Sequence, residues 1–326
     1  MTSQKSDNAV KTNTVMTDVI MIGAGPSALA AAVYTTREDI KTILLEKGVV
    51  GGLAAITDQV DNYPGFPEGV TGLDLAEKLE KQAERFGADI RYGEVTNITS
   101  DSKNSTVSVQ TVDGTEYTAK AVLIATGSDY KKIGVPGEEE FYGRGVHYCA
   151  TCDGAFYREK KLVVVGGGNS AIQEALFLTR FTSHINLLVR SKIRASEVLQ
   201  HELEKAVKEG KITVHLETTT DEIVGVDGKV TKVVGTHEGK KVEIETNGVF
   251  IFVGLLPNTQ FLVNTEVKLD DTGFIKTDQD LMTSITGVFA SGDVRSGATM
   301  QIASAVGEGA TAALKIREYL EDPSRK

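Results

Sequence analysis

The chain has 326 residues, of which 40% are hydrophobic and 25% charged, a composition that suits a soluble globular protein with room for two ordinary domains. Its 35 basic and 45 acidic side chains leave a net charge of −10, and no Lys/Arg block breaks that balance. Nucleic acid and anionic membrane surfaces are therefore poor partners, and no apolar run approaches the roughly 18 residues of a membrane span.

The opening "MTSQKSDNAVKTNTVMT" is polar and lacks the apolar core of a signal peptide, so residues 1–16 are expected to form a disordered tail and the cytoplasm is the expected location. "VIMI" (Val19–Ile22) then reads as a buried strand, followed by a glycine turn and an alanine-rich helix. The turn, Gly23-Ala24-Gly25-Pro26-Ser27-Ala28, is a G-x-G-x-x-A. Its glycines let the backbone approach a pyrophosphate at the helix N-terminus, and its small last residue lets helix and strand pack closely. A second strand, "KTILLE", ends at Glu46, where a carboxylate can accept hydrogen bonds from a ribose. This strand–turn–helix–strand–acid frame predicts dinucleotide binding. Downstream, "TVSVQTVDGTEYTAKAVLIATG" reads as a hairpin around Asp113-Gly114 and a buried strand closing at Gly127.

Both cysteines of the chain lie in "HYCATCDG", as Cys149 and Cys152 of a C-x-x-C. A zinc site needs four ligands, and only five scattered histidines and no second C-x-x-C are on offer. A lasting structural disulfide does not suit the cytoplasm, whereas a cycling dithiol does. Asp153 directly follows Cys152 and is placed to pass a proton to a leaving thiolate, although it also serves as a turn residue before Gly154. His147 offers the same chemistry, but a lone histidine ahead of a loop reads first as a packing residue and is not assigned.

The nucleotide plan recurs in "KLVVVGGGNSAIQEALFLTR", with Gly166, Gly168 and Ala171 in the three key places. The position equivalent to Glu46 is Val189, and "RSKIR" next supplies Arg190, Lys192 and Arg194. An acid would repel a 2′-phosphate and arginines would pair with it, so NADP is favoured over NAD; the plain alternative is a solvated loop. "EIVGVDGKVTKVVGTHEGKKVEIETNGVFIFVG" matches the earlier hairpin and closing strand, and "GLLPNT" leads back near Pro257. Late in the chain, "GVFASGDV" puts Gly292-Asp293 after a short strand and before the helical stretch "TMQIASAVGEGATAALKIREYL". Beside an FAD-type site, such an aspartate reaches the ribityl chain. The expected fold is α/β, three-layered with small antiparallel sheets and two Rossmann-like dinucleotide-binding domains. A discontinuous FAD domain (17–130 and 257–326) would hold an inserted NADPH domain (131–256) that carries the C-x-x-C.

"GAGPSA", "GGLAAITDQVDNYPGFP", "ATG", "CATCDG", "GGGNSA", "GLLPNT" and "GDV" occur in this order over about residues 17 to 322, and on them the chain resembles the low-molecular-weight thioredoxin reductases of bacteria and archaea. These are flavin-dependent pyridine nucleotide-disulfide oxidoreductases. The resemblance implies an FAD-bound homodimer that takes electrons from NADPH and delivers them through the Cys149–Cys152 disulfide to thioredoxin. It also implies an NADPH domain that rotates between two orientations. Carried over by motif, FAD contacts fall on Gly23, Gly25, Pro26, Ser27, Ala28, Glu46, Lys47, Gly51, Gly52 and Asn62. They continue with Ala125, Thr126, Gly127, Gly292, Asp293, Gln301 and Ile302. NADPH contacts fall on Gly166, Gly168, Asn169, Ser170, Ala171, Arg190 and Arg194. The family pattern has Cys152 facing the flavin and Cys149 attacking thioredoxin, roles that the sequence alone does not divide.

Three positions depart from the family pattern: Val189-Arg190-Ser191 replaces His-Arg-Arg, Leu53 replaces glutamine, and Met300 replaces a basic residue. Losing one arginine at a phosphate site removes about 1.5–3 kcal/mol, the range for a hydrogen bond to a charged group. Rival readings are a related reductase fed by ferredoxin or NADH, an alkyl hydroperoxide reductase flavoprotein, for which extra N-terminal redox domains are expected, and a ferredoxin–NADP reductase, which would lack the dithiol. A flavin-bound redox sensor without turnover is the rival outside enzymes, and it has no need of a second nucleotide motif.

Overall fold

The computed structural model describes residues 14–57 and 59–322. Of the tail expected over 1–16, residues up to 13 lie outside the described part, and the last three are not tail. They form β1 (Thr14–Met16), which runs parallel to residues 116–118. The β-branched Thr14 and Val15 suit a strand, and Val15 packs on the apolar layer beneath.

The chain continues through β2 (Val19–Ile22), α1 (Pro26–Thr36), β3 (Thr42–Glu46), the short α2 (Gly52–Ala55), α3 (Gly72–Arg85) and β4 (Asp89–Tyr92). β5 (Val95–Asp101), β6 (Thr106–Thr111) and β7 (Glu116–Ala119) form an antiparallel meander, and β8 (Ala121–Ile124) follows. At the expected hairpin, Asp113 Oδ1 accepts the Thr115 N–H at 3.0 Å. The crossing strand β9 (Ser128–Tyr130) leads to β10 (Val146–His147), α4 (Ala150–Asp153), β11 (Lys161–Val165), α5 (Asn169–Leu178) and β12 (His184–Leu188). Then come α6 (Glu197–Lys208), β13 (Ile212–His215), β14 (Thr218–Val226), β15 (Lys229–His237), β16 (Lys240–Glu245) and β17 (Gly248–Ile251). β18 (Leu255–Pro257) leads back to β19 (Val288–Ala290) and α7 (Ile302–Glu321). The helical stretch expected from Thr299 starts at Ile302, because Met300 has φ +56° and Gln301 is extended.

The chain divides into two compact units, Met1–Asp129 with Pro257–Lys326, and Tyr130–Leu256. In the first, a parallel sheet ordered β19-β8-β2-β3-β4 faces a four-stranded sheet ordered β1-β7-β6-β5. Successive residues of a strand point to opposite faces, so a parallel strand covered on both sides reads as continuously apolar. Val19, Met21, Leu44, Leu123 and Phe289 meet the helices through Leu29 and Ile316. Ile20, Ile22, Ile43, Val122 and Ile124 meet the antiparallel layer through Val107, Val109 and Tyr117. Each such buried side chain contributes about 1.5–3 kcal/mol.

The second unit repeats the plan, with a parallel sheet ordered β10-β17-β11-β12-β13 and an antiparallel layer β14-β15-β16. Leu162 and Val164 pack on Ile172, Leu178 and Leu203, while Val163 and Val165 pack on Ile223, Val230 and Val233. Both units are three-layered. On the first unit, Asn258 binds the departing strand: its N–H donates to Gly127 O at 3.0 Å and its amide to Thr126 O at 3.0 Å, while the Thr126 hydroxyl donates to Asn258 O at 2.7 Å. On the second, Lys131 N–H donates to Gly254 O at 3.0 Å.

Candidate functional site

In the first unit the chain leaves β2 through Gly23 at φ +97°, where a Cβ would stand 2.6 Å from Ala125 O. Only glycine allows this close passage beside the end of β8. Gly25 caps α1 in an extended conformation, and a Cβ there would meet open space. The first N–H groups of α1 have no partner inside the helix and open onto that space, which suits an anion. Pro26 takes the first helical position, where a missing N–H is harmless.

Glu46 does more than wait for a ribose. Its Oε2 accepts the Ala24 N–H at 2.7 Å and its Oε1 accepts the Gly48 N–H at 2.7 Å. Gly51 N–H closes the far side on Ala24 O at 2.8 Å, and Gly52 lies against Gly25. These bonds gather the Gly23–Ala28 turn, Glu46, Gly51 and Gly52 on one rim, with Lys47 exposed beside it.

The C-terminal return segment reaches the same turn. Ser27 and Ser291 share a buried hydroxyl–hydroxyl bond of 2.7 Å, and Gly309 of α7 packs directly on the Ser27 carbonyl. Glu308 accepts the Gly292 N–H at 2.9 Å and holds Arg295 through Nη2 at 2.6 Å and Nε at 3.1 Å. Asp293 accepts no hydrogen bond among the described residues; burial and then the Glu308 charge push its pKa up to about 6. A half-buried carboxyl without an internal partner is what a ligand hydroxyl would satisfy. Asn62 Nδ2 donates to Gln301 Oε1 at 3.1 Å, joining two further predicted contacts, and Ile302 follows as the first residue of α7. The Ala125-Thr126-Gly127 segment is fixed by Ile22 and Asn258. Sequence reasoning missed Ser291, Arg295 and Glu308. The available signal was a lone acid between Gly307 and Gly309 in an alanine-rich helix.

In the second unit, Gly166 (φ +145°) plays the part of Gly23: a Cβ there would strike Phe252 O and stand 2.7 Å from the Ala171 Cβ. Gly168 caps α5 over open space, and Asn169 Oδ1 accepts the Ser196 N–H at 2.8 Å while Ser170 stays exposed. Val189 is 2% exposed, a plug where the first unit has an acid. Arg194 N–H donates to Gly167 O at 2.7 Å and pins the following loop onto the turn. Arg190, Lys192 and Arg194 are exposed and, among the described residues, make no ion pair or side-chain hydrogen bond. Three unneutralised cations beside an open helix start form an anion cradle.

The two cysteines sit on the same unit, where β10 ends and α4 begins. Cys149 and Cys152 form a disulfide with Cα atoms 5.3 Å apart, and Cys149 Sγ accepts the Cys152 N–H at 3.2 Å. That bond favours a thiolate at Cys149 once the disulfide opens. Asp153 follows on α4, and its Oδ2 stands 3.2 Å from His147 Nδ1. His147, unassigned from the sequence, is indeed a buried packing residue, yet it also meets Asp153. Its Nε2 lies 2.7 Å from the Tyr157 hydroxyl, and its ring stacks on Phe250 at 5.1 Å. A second buried carboxylate, Glu138, accepts the Ile133 and Gly134 N–H groups and the Tyr148 hydroxyl, anchoring the segment ahead of Cys149.

The pyridine nucleotide-disulphide oxidoreductase family matches residues 17–309. A thioredoxin reductase of Listeria monocytogenes is 42% identical over 308 residues, covering 94% of this chain and 94% of its own. One from Bacillus subtilis is 42% identical over 94% of this chain and 95% of its own. The crystal structure of thioredoxin reductase from Streptococcus pyogenes MGAS5005 superposes with a TM-score of 0.87 at 40% identity, over 94% of this chain and 99% of that one.

Proposed function

The chain belongs to the pyridine nucleotide-disulphide oxidoreductase family, and from that premise we propose that it reduces the disulfide of thioredoxin, with NADPH as donor, FAD as the bound flavin and Cys149–Cys152 as the last relay. The observation that carries the reading is the half-buried Cys149–Cys152 disulfide beside Asp153 in a chain that also builds two separate nucleotide cradles. The open start of α1, the unsatisfied Asp293 carboxyl and the Ser27–Ser291 tie suit FAD. The open start of α5 and the free Arg190 and Arg194 support NADPH over NADH. A flavin supplies the exchange between a two-electron hydride donor and a disulfide.

The chain's own residues handle the sulfur chemistry. In the reduced state, the Cys149 thiolate attacks one sulfur of the acceptor disulfide, forming a mixed disulfide and releasing the other sulfur as a thiolate. The Cys152 thiolate then attacks Cys149 Sγ, which restores the internal disulfide and frees the second acceptor thiolate. Two electrons and two protons pass from the dithiol to the acceptor, with Asp153 carrying a proton between cysteine and leaving thiolate. The proposal includes a cytoplasmic homodimer, for which sedimentation of the purified flavoprotein is the check.

Anaerobic titration of the flavoprotein with NADPH and with NADH, followed by oxidised thioredoxin, tests the reading. NADPH should bleach the flavin band at far lower concentration than NADH, and thioredoxin should restore it. Cys149→Ser and Cys152→Ser should each abolish thioredoxin turnover while leaving the bleaching by NADPH. Bleaching without recovery in the unsubstituted protein would remove thioredoxin as acceptor, and equal response to both nucleotides would remove NADPH as the preferred donor.

A further inference from the structure

We propose that His147 is a positioning residue for the dithiol: it holds the Asp153 carboxylate in the one orientation from which it accepts the cysteine proton. The inference rests on the disulfide-reductase reading and adds to it a residue that touches neither cysteine.

The geometry has two parts. His147 and Asp153 bracket the turn that the disulfide closes, and their contact of 3.2 Å is a second, non-covalent closure of the same turn. Reduction removes the covalent closure and leaves this one in place. The imidazole itself is fixed. It is 6% exposed, stacked on Phe250 at 5.1 Å and met edge-on by Tyr157 at 5.4 Å.

Hydrogen placement is then constrained. Burial, and after it the Asp153 charge, raises the pKa of the Tyr157 hydroxyl, so that hydroxyl keeps its proton. Its acceptor is His147 Nε2 at 2.7 Å. The neutral imidazole must therefore carry its own proton on Nδ1, which faces Asp153 Oδ2. Every hydrogen is paired in the chain Tyr157 O–H to His147 to Asp153. The opposite tautomer would set a lone pair against the carboxylate. Tyr142, from the loop before β10, also senses the Asp153 charge, and burial first and that charge second raise its pKa. Lys160 stands 5.5 Å over the Tyr157 ring, and among the described residues no Lys or Arg pairs with Asp153. The donor that fixes the carboxylate is thus the His147 Nδ1–H.

The proton accounting follows. The cysteine thiol gives its proton to the Asp153 carboxylate as its thiolate attacks the acceptor disulfide, and the leaving acceptor thiolate takes that proton back. Without the Nδ1–H donor the carboxylate can turn away, and the proton transfer loses its fixed geometry.

His147→Phe keeps the ring and its stacking but lacks the donor, whereas His147→Asn sets an amide N–H near the Nδ1 position. The readout independent of any acceptor is the rate of iodoacetamide alkylation of the reduced, full-length flavoprotein from about pH 5 to 9. In His147→Phe the alkylation rate at neutral pH and the thioredoxin kcat should each fall about tenfold, with the thioredoxin KM nearly unchanged. His147→Asn should recover most of both. An unchanged alkylation rate and kcat in His147→Phe, or an equal loss in both variants, overturns the proposal. Should His147→Phe fail to fold, Tyr157→Phe removes only the hydroxyl that fixes the tautomer, and it should lower both rates by less; no change there is equally fatal. Alkylation slowed by His147→Phe in a protein that reduces no thioredoxin would keep the His147 role and sink the acceptor assignment.

Discussion

Where its second parallel strand ends, the first unit carries Glu46, which binds the Ala24 and Gly48 N–H groups, whereas the second carries Val189, packed against the glycine turn and nearly unexposed. Both arrangements hold the turn in one shape, one through charge-assisted hydrogen bonds and the other through apolar contact. The consequence for a ligand is opposite. The first rim presents an anion suited to ribose hydroxyls; the second presents Arg190, Lys192 and Arg194, which no acid neutralises among the described residues. The first cradle also borrows a segment from far down the chain through the Ser27–Ser291 bond, while the second is built from contiguous sequence. One backbone plan is thus suited to two different nucleotides, because the side chain that braces the turn is also the one that decides the local charge.

The largest effects should come from the glycines that separate scaffold from cradle. Gly23→Ala must move backbone, since its Cβ would stand 2.6 Å from Ala125 O at a positive φ. Gly25→Ala meets open space and an extended backbone that any residue adopts. Gly25→Ala should therefore leave the urea midpoint near wild type while weakening flavin retention about ten- to a hundredfold, the equivalent of 1–3 kcal/mol of overpacking. Gly168→Ala should keep the flavin and weaken only the nucleotide that bleaches it. The check is flavin absorbance per polypeptide after gel filtration, with the midpoint measured alongside. A Gly25→Ala protein that keeps its full flavin would mean the first cradle does not hold it.

A smaller effect is expected where the two rims differ in charge. Arg190→Ala and Arg194→Ala should each raise the KM for NADPH about tenfold or more, from the roughly 1.5–3 kcal/mol of a hydrogen bond to a charged group. The KM for NADH should stay within about twofold, because NADH carries no 2′-phosphate. Parallel losses with both nucleotides would make these arginines general contributors and leave the difference between the rims without functional meaning.

The parallel strands and glycine turns were legible because both obey short-range rules: an unbroken apolar run means a strand covered on both faces, and G-x-G-x-x-A forces a tight turn. Asn62 and Gln301 were placed by motif alone, and the fold shows them in contact although most of the chain separates them. What escaped the sequence depends on long-range partners. Glu308 looks like a solvated helix residue until Gly292 and Arg295 are brought to it. His147 looked like packing, which it is, and nothing in its neighbourhood announces that α4 turns Asp153 back towards it. Residues 14–16 read as tail because their partner strand lies about a hundred positions away.

The most delicate prediction concerns Asp293, which has no counterpart in the second unit. Burial, then the Glu308 charge, raises its pKa from 3.8 to about 6. At Asp293 the folded state therefore keeps its proton to higher pH than the unfolded state, and this group's contribution to stability is lost as pH rises from about 4 to about 6. Asp293→Asn removes this penalty. The flavin-free variant should gain about 1–3 kcal/mol at neutral pH, and its advantage in urea midpoint over wild type should grow as pH rises through the window. The same substitution should weaken flavin retention, because an amide replaces a carboxylate acceptor that has no hydrogen-bond partner among the described residues. Stability and binding are then expected to move in opposite directions, which a merely structural carboxylate would not produce. An unchanged pH slope in Asp293→Asn would assign the titration to another group, and a stabilised variant with undiminished flavin would detach Asp293 from the ligand.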